Sequence, residues 1–182
     1  DLISKIKHLK EERYLEIEPI IGKLENKRDN IVIEVEGKII DAEKSPKFAD
    51  IVVKKGDGSV KEYVEIETLI GSIEPMKKID ETIEKYYVDE DGKWIIKDDK
   101  TLIIVLKPVS ALLHYEELLH KKKIIEQLNG INVEFEVLVL EIFEEGDKRE
   151  YCWNLVPLEE YIKTYKRMLR KYTTGGMSDE RF

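Results

Sequence analysis

Three carboxylates in one short stretch carry the chemistry this chain could do. In ADIVVKKGDGSVKEYVEIETLIG (residues 49–71) Asp50 opens one strand-like run, and Glu65 and Glu67 sit in the next. The Lys55-Gly56-Asp57-Gly58-Ser59 segment between them has hairpin chemistry, with Asp57-Gly58 suited to a two-residue type I′ turn. Such a turn sets Gly56 against Ser59 and Asp50 directly opposite Glu65. A four-residue loop from Gly56 to Ser59 gives the same register, whereas a turn at Gly56-Asp57 breaks it. Directly opposed residues have Cβ atoms about 5 Å apart, where like charges repel. Glu67 shares the face of Glu65, because strand side chains alternate. Such a patch requires a cation among the carboxylates or a raised pKa. Hard divalent cations take oxygen ligands, and Mg²⁺ commonly uses one or two carboxylates together with phosphate oxygens. The hairpin therefore predicts a Mg²⁺ (or Mn²⁺) site. The plain alternative is the wet face of a Glu-rich sheet, since the same Glu-x-Glu spacing recurs at Glu16/Glu18, Glu34/Glu36 and Glu134/Glu136.

The elements that must position these residues follow from periodicity. Residues 2–27 read as mostly helical, with Ile17, Ile20, Ile21 and Leu24 on one face and Pro19 dividing the region or opening a second helix. Three strands follow: Asn30 to Ile40, Phe48 to Lys54, and Glu62 to Leu69. Ser72 and Pro75 look like a helix start, and that helix runs to about Tyr87 with Ile79, Ile83 and Tyr86 or Tyr87 as its apolar stripe. Val88 to Trp94 reads as a polar turn. Thr101 to Leu106 is wholly apolar and so a central strand. Ser110 to Leu128 is a helix ended by Asn129-Gly130, Val133 to Phe143 a strand, and Leu158 to Tyr172 a last helix. The fold class is α/β, a central mixed β-sheet of about five strands flanked by helices. Residues 1–172 form a single domain, and 173–182 a flexible C-terminal tail.

Composition narrows the function classes. The 182 residues are 42% apolar and 38% charged, which suits one globular domain with a heavily charged surface. The Lys and Glu bias is common in proteins of hot environments. A net charge of -8 argues against a simple nucleic-acid coat but not against a nuclease, whose metal site is itself acidic. Cys152 is the single cysteine, so no internal disulfide and no Cys-x-x-Cys metal site exists. No apolar run approaches the roughly 20 residues that cross a membrane, and an intracellular, cytoplasmic location is expected. His8, His114 and His120 have no metal-ligand spacing.

Asp at the head of one hairpin strand, Glu-x-Glu on the next, and then a helix, resembles the PD-(D/E)xK, or restriction-endonuclease-like, nuclease superfamily. The family's core order is helix, three-strand meander, helix, strand (αβββαβ). Residues 2 to about 106 resemble it, and helix-strand-helix is then an addition. The resemblance implies Mg²⁺-dependent endonucleolytic hydrolysis of DNA. Asp50 matches the metal-binding Asp, Glu65 the second acidic ligand, and the Ile66 backbone carbonyl a further ligand. Glu67 stands where the family usually has Lys, and Ala49 where its motif has Pro. Lys78 on the following helix is the substitute basic residue, ahead of its neighbour Lys77. Lys54 shares the face of Asp50 but lies about 13 Å along the strand. The family often adds a Glu from the first helix; Glu11, Glu12, Glu16 and Glu18 compete for that place, and Glu16 is chosen. The family's habit of dimerising extends the expectation to a homodimer, and the Lys/Glu-rich composition with the ETLIG stretch suggests an archaeal or archaeal-virus member. The alternative is a catalytically inactive nuclease-like module that binds DNA or protein.

The last helix carries Lys163, Lys166, Arg167 and Arg170 with interleaved Tyr, a pattern that fits contact with a DNA backbone. Docking on the core through Ile162, Tyr165 and Leu169, with the charges solvated, explains the same pattern, and the two are compatible.

Overall fold

The uninterrupted apolar run from Thr101 to Leu106 lies at the centre of the molecule. A computed structural model of the chain describes residues 19–25, 30–40, 47–69, 72–88, 93–96, 99–145 and 148–174. In chain order its elements are α1 (19–25), β1 (Ile31–Val35), β2 (Lys38–Ile40), β3 (Lys47–Phe48), β4 (Ile51–Lys55), β5 (Val60–Glu67), α2 (Pro75–Glu84), β6 (Tyr87–Val88), β7 (Lys93–Trp94), β8 (Thr101–Leu106), α3 (Pro108–Asn129), β9 (Asn132–Glu145), β10 (Lys148–Pro157) and α4 (Leu158–Thr174). Six strands form one mixed sheet in the order β1-β4-β5-β8-β9-β10. β1, β4 and β5 pair as an antiparallel meander, and β9 and β10 as an antiparallel hairpin. β5 and β8 pair in parallel, as do β8 and β9. Each parallel step requires a crossover, and α2 and α3 supply them.

Helices cover both faces of the sheet. Ile20 and Leu24 of α1 share one core with Ile51, Val53, Val64, Ile66, Ile103 and Val105. Ile79 and Ile83 of α2, Leu118 of α3 and Ile162 of α4 share the other with Val52, Tyr63, Leu102 and Ile104. β8 is buried on both sides, which is why its sequence shows no polar alternation.

Several expectations are corrected. The sheet has six strands where about five were expected, because the segment between the expected strand ending at Phe143 and the last helix, Cys152 and Trp153 included, forms β10. β10 is an edge strand paired only with β9, and Leu155 is its one fully buried side chain, so its sequence lacks a clean alternation. The addition after β8 is thus helix, strand, strand, helix. Asn30 to Ile40 is not one strand. Glu36 enters the left-handed region (φ 52°), and Gly37 passes so close to Val52 that a Cβ there would lie 2.4 Å from its Cγ2. Phe48 to Lys54 breaks likewise at Ala49-Asp50, and β2 pairs with β3 in a separate two-stranded sheet. The helix expected to reach Tyr87 ends at Glu84, and Tyr87-Val88 pairs with Lys93-Trp94 at the far end of the expected polar turn. α3 ends where expected, with Gly130 left-handed (φ 61°) as its cap. Residues 175–182 of the expected tail, and all of residues 1–18, lie outside the described residues. Among the described residues no helix is long and apolar enough to cross a membrane.

Candidate active site

The β4–β5 hairpin reaches the expected register by a different turn. A type I′ turn needs left-handed backbone at both central residues. Here only Gly58 is left-handed (φ 84°). Its amide donates to the Lys55 carbonyl (2.9 Å), the Lys55 amide donates to the Ser59 carbonyl (2.8 Å), and the Asp57 carboxylate accepts from the Ser59 amide (2.9 Å) and hydroxyl (2.6 Å). This loop alone would slip the strands by one residue, and Lys54 does pair with Val60. A bulge between Val53 and Lys54 absorbs the slip, so Val53 faces Glu62, Val52 faces Tyr63 and Ile51 faces Val64. Asp50 and Glu65 come next in that register.

Asp50 sits where the chain bends out of the ladder, between β3 and β4. Its carbonyl accepts from the Glu36 amide (2.8 Å), which holds the bend. Its carboxylate stands in for a backbone acceptor, taking the Ile66 amide proton on Oδ2 at 2.8 Å. That bond fixes the Asp50 side chain against β5 between Glu65 and Glu67. Both glutamates share the face of Tyr63, toward α2.

α2 brings the counterions. Ile79 and Ile83 point into the core, as does Tyr86 just beyond the helix. Lys78, Thr82 and Lys85, each one position earlier than an apolar residue, fall on an adjoining stripe over the glutamates. Glu65 is only 3% exposed and accepts hydrogen bonds on Oε1 from Lys85 Nζ (2.7 Å) and from the Tyr86 hydroxyl (2.6 Å). Tyr86 is fully buried and tilted against Tyr63, with ring centroids 5.1 Å apart. Glu67, 9% exposed, takes the Thr82 hydroxyl proton on Oε1 and has Lys78 Nζ 3.1 Å from Oε2. Lys78 also donates to the Thr68 carbonyl (2.9 Å).

Burial pushes the Glu65 carboxyl up to about 7; Lys85 and Tyr86 oppose that rise, and the Asp50 charge adds to it. Burial and the adjacent Glu65 charge raise the Tyr86 hydroxyl as well. The molecule thus uses both resolutions of a crowded carboxylate patch, cations from lysine and a raised pKa. Asp50, Glu65, Glu67, Lys78, Thr82 and Lys85 line a cleft of about 540 Å³ together with Glu36, Phe48, Ala49 and Glu81, while Tyr86 supports Glu65 from the core behind it.

Asp50, Glu65 and Glu67 are therefore brought together, and Lys78 reaches Glu67 rather than Glu65. Ile66 contributes its amide to Asp50. Glu16 lies outside the described residues. The α4 residues stand apart from this cleft: α4 packs on α3, β9 and β10, with Ile162 buried and Lys163, Lys166 and Arg167 exposed. Arg170 lies in the same helix. Asp50 and Glu65 offer oxygen donors of the type hard cations take. No group of three or more His, Cys, Asp or Glu side chains among the described residues is gathered for a metal, and the third carboxylate, Glu67, is engaged by Thr82 and Lys78. Two of the cleft's central partners, Lys85 and Tyr86, were not anticipated as functional. The available signal was the Lys78-Thr82-Lys85 spacing beside an apolar stripe already legible as Ile79-Ile83-Tyr86. No family model matches the chain, and no curated protein or solved structure matches it either.

Proposed function

We propose that the chain is a metal-dependent nuclease that hydrolyses DNA phosphodiester bonds, built on a restriction-endonuclease-like core. The observation that carries this is Asp50 set beside Glu65 by the hairpin, with ammonium groups delivered to the same cleft from α2. The order α1, meander β1-β4-β5, α2, β8 supports it, being the order that family's core has. Asp50 and Glu65, with the Ile66 carbonyl, would hold Mg²⁺ or Mn²⁺, whose chemistry is to acidify water and to offset charge on the phosphoryl oxygens. The chain's own residues do the rest. The Ile66 amide keeps Asp50 in place. Tyr86 holds Oε1 of Glu65. Lys85 and Lys78 supply positive charge for a phosphate entering the cleft, in place of the motif lysine that Glu67 replaces. Water oxygen bonds to phosphorus, the bond to the leaving oxygen breaks, and the proton lost by water is matched by one gained at the leaving oxygen. Exposed Lys163, Lys166 and Arg167 are backbone contacts outside the cleft.

The second reading is a nuclease-like binding module without catalysis. Glu67 at the lysine position, and the existing Lys85–Glu65 and Lys78–Glu67 pairs, favour it. Calorimetric titration of Mg²⁺ and Mn²⁺ into wild type and Asp50→Ala, with plasmid nicking in parallel, separates the two. Binding lost in the variant together with metal-dependent nicking is the expected result. Binding without cleavage leaves the inactive module, and absence of binding removes the metal site altogether.

A further inference from the structure

A second cleft opens on the other side of Lys85. It holds about 760 Å³ and shares Glu81 and Lys85 with the carboxylate cleft, so the two adjoin across the C-terminal end of α2. Its far wall is the β6–β7 ribbon, where Tyr87 and Trp94 are directly paired, with ring centroids 5.0 Å apart and planes at 58°. Both rings are half-buried, so each rests on the protein and leaves part of its surface open. Lys47 lines the same cleft, its Nζ donating to the Tyr87 carbonyl (3.4 Å), and Ile125 and Asn129 of α3 complete the lining.

The charges say what kind of guest fits. Asp80 is neutralised by Lys121, which donates to both carboxylate oxygens at 2.7 Å. Lys85 is likewise committed to Glu65, which leaves Glu81 and Glu84 against Lys47 alone. Phosphate is disfavoured where two carboxylates face one ammonium, whereas an uncharged planar group with polar edges is not. The volume is that of an ordinary small-molecule site, about 300–1,000 Å³. Aromatic side chains hold bases by stacking only when the base face is not already stacked on its neighbours, as in single strands, flaps and frayed ends.

We infer that this cleft is a stacking subsite for one unpaired nucleobase of the strand whose phosphate lies at Lys85, which makes single-stranded or flapped DNA, rather than continuous duplex, the substrate class. This rests on the nuclease reading for the strand in the first cleft. Trp94 takes the base face, with Tyr87, inclined to it at 58°, bracing the indole from the side, and Asn129 takes the polar edge.

The test uses the full chain with Trp153→Phe, which leaves Trp94 as the only tryptophan. Oligothymidylate, and the same strand annealed to oligoadenylate, are titrated at low ionic strength in EDTA so that no metal-dependent hydrolysis intrudes. The single strand is expected to quench Trp94 emission to saturation, and the duplex to leave it unchanged at equal nucleotide concentration. By anisotropy of a labelled strand, Trp94→Leu is expected to bind about tenfold more weakly, and Trp94→Phe, which keeps a ring, to retain most of the affinity. Equal quenching by duplex, or wild-type affinity in Trp94→Leu, would overturn the subsite. Quenching by the strand in a protein that binds no Mg²⁺ at Asp50 supports the subsite and sinks hydrolysis. Mg²⁺ binding with no Trp94 response does the reverse.

Discussion

Helices α2 and α4 are both amphipathic and both carry lysines, yet they use them in opposite ways. On α2, Lys78 and the capping Lys85 close on glutamates that are nearly buried, at 3.1 and 2.7 Å. On α4, Lys163, Lys166 and Arg167 face solvent, and the described partner of Lys166 is neutral: the Tyr115 hydroxyl at 2.9 Å and its ring centroid at 4.6 Å. The difference lies in the strands beneath. β5 turns Glu65 and Glu67 toward α2, whereas β9 turns Val133, Phe135 and Val137 into the core that Leu158 and Ile162 of α4 join. A charge pair sheltered from water interacts several times more strongly than one screened by it. A basic helix is therefore read from the face it covers, not from its own sequence.

The largest effect that would break this comparison is electrostatic and sits at Glu65. Its folded-state pKa is raised from 4.5 to about 7, so between those values the folded chain holds a proton that the unfolded chain has released. Stability from this group is complete below pH 4.5 and is lost as pH rises through about 7. Glu65→Gln, which cannot ionise, is expected to be more stable than wild type at pH 8 by on the order of 3 kcal/mol, with the gap closing toward pH 4.5. Urea unfolding in EDTA across that range measures it. A constant gap would show that Glu65 is not strained by burial.

The next effects are smaller and concern the two hydroxyl donors. Tyr86→Phe keeps the packing on Tyr63 but removes a donor from a buried carboxylate. A loss of about 2 kcal/mol is expected at pH 8, and less at pH 5 where Glu65 is protonated. Thr82→Val keeps the branched shape and removes the donor to Glu67, for about 1 kcal/mol. The matching change on the other helix, exposed Thr164→Val, is expected to stay within about 0.5 kcal/mol. Equal costs on α2 and α4 would mean that the α2 contacts are as weak as surface ones.

What the sequence makes legible follows from how local the cause is. β8 and the Asn129-Gly130 helix stop were readable, because burial on both faces and a left-handed cap leave direct marks on residue type. The closeness of Asp50 and Glu65 was readable too, although through a turn that does not form. The three-residue loop and the Val53/Lys54 bulge cancel in register, and neither leaves a distinctive residue. β10 was not readable, since only Leu155 of its ten side chains is fully buried and so no apolar alternation marks it. Nor was the bend at Glu36, a left-handed residue that is not glycine. The Lys85–Glu65 pair spans 20 residues and a sheet crossover, so no short spacing announces it. The raised pKa of Glu65 depends on burial that only the assembled fold supplies.

The smallest effects on stability sharpen the comparison from the α4 side. Lys163→Ala and Arg167→Ala remove exposed charges, and each is expected to change unfolding free energy by no more than about 0.5 kcal/mol. Under the proposed nuclease reading, their consequence belongs to DNA binding. Each phosphate contact releases counterions, so each substitution is expected to lower the slope of log affinity against log salt by about one unit, for any DNA sequence alike. Anisotropy titrations of labelled DNA at several salt concentrations read that slope directly. An unchanged slope in both variants would assign α4 to core docking alone, with Ile162 as its anchor and its cations merely hydrated. A lowered slope with unchanged stability would show the division of labour plainly: α2 spends its lysines on holding buried carboxylates, and α4 keeps its own for the phosphate backbone.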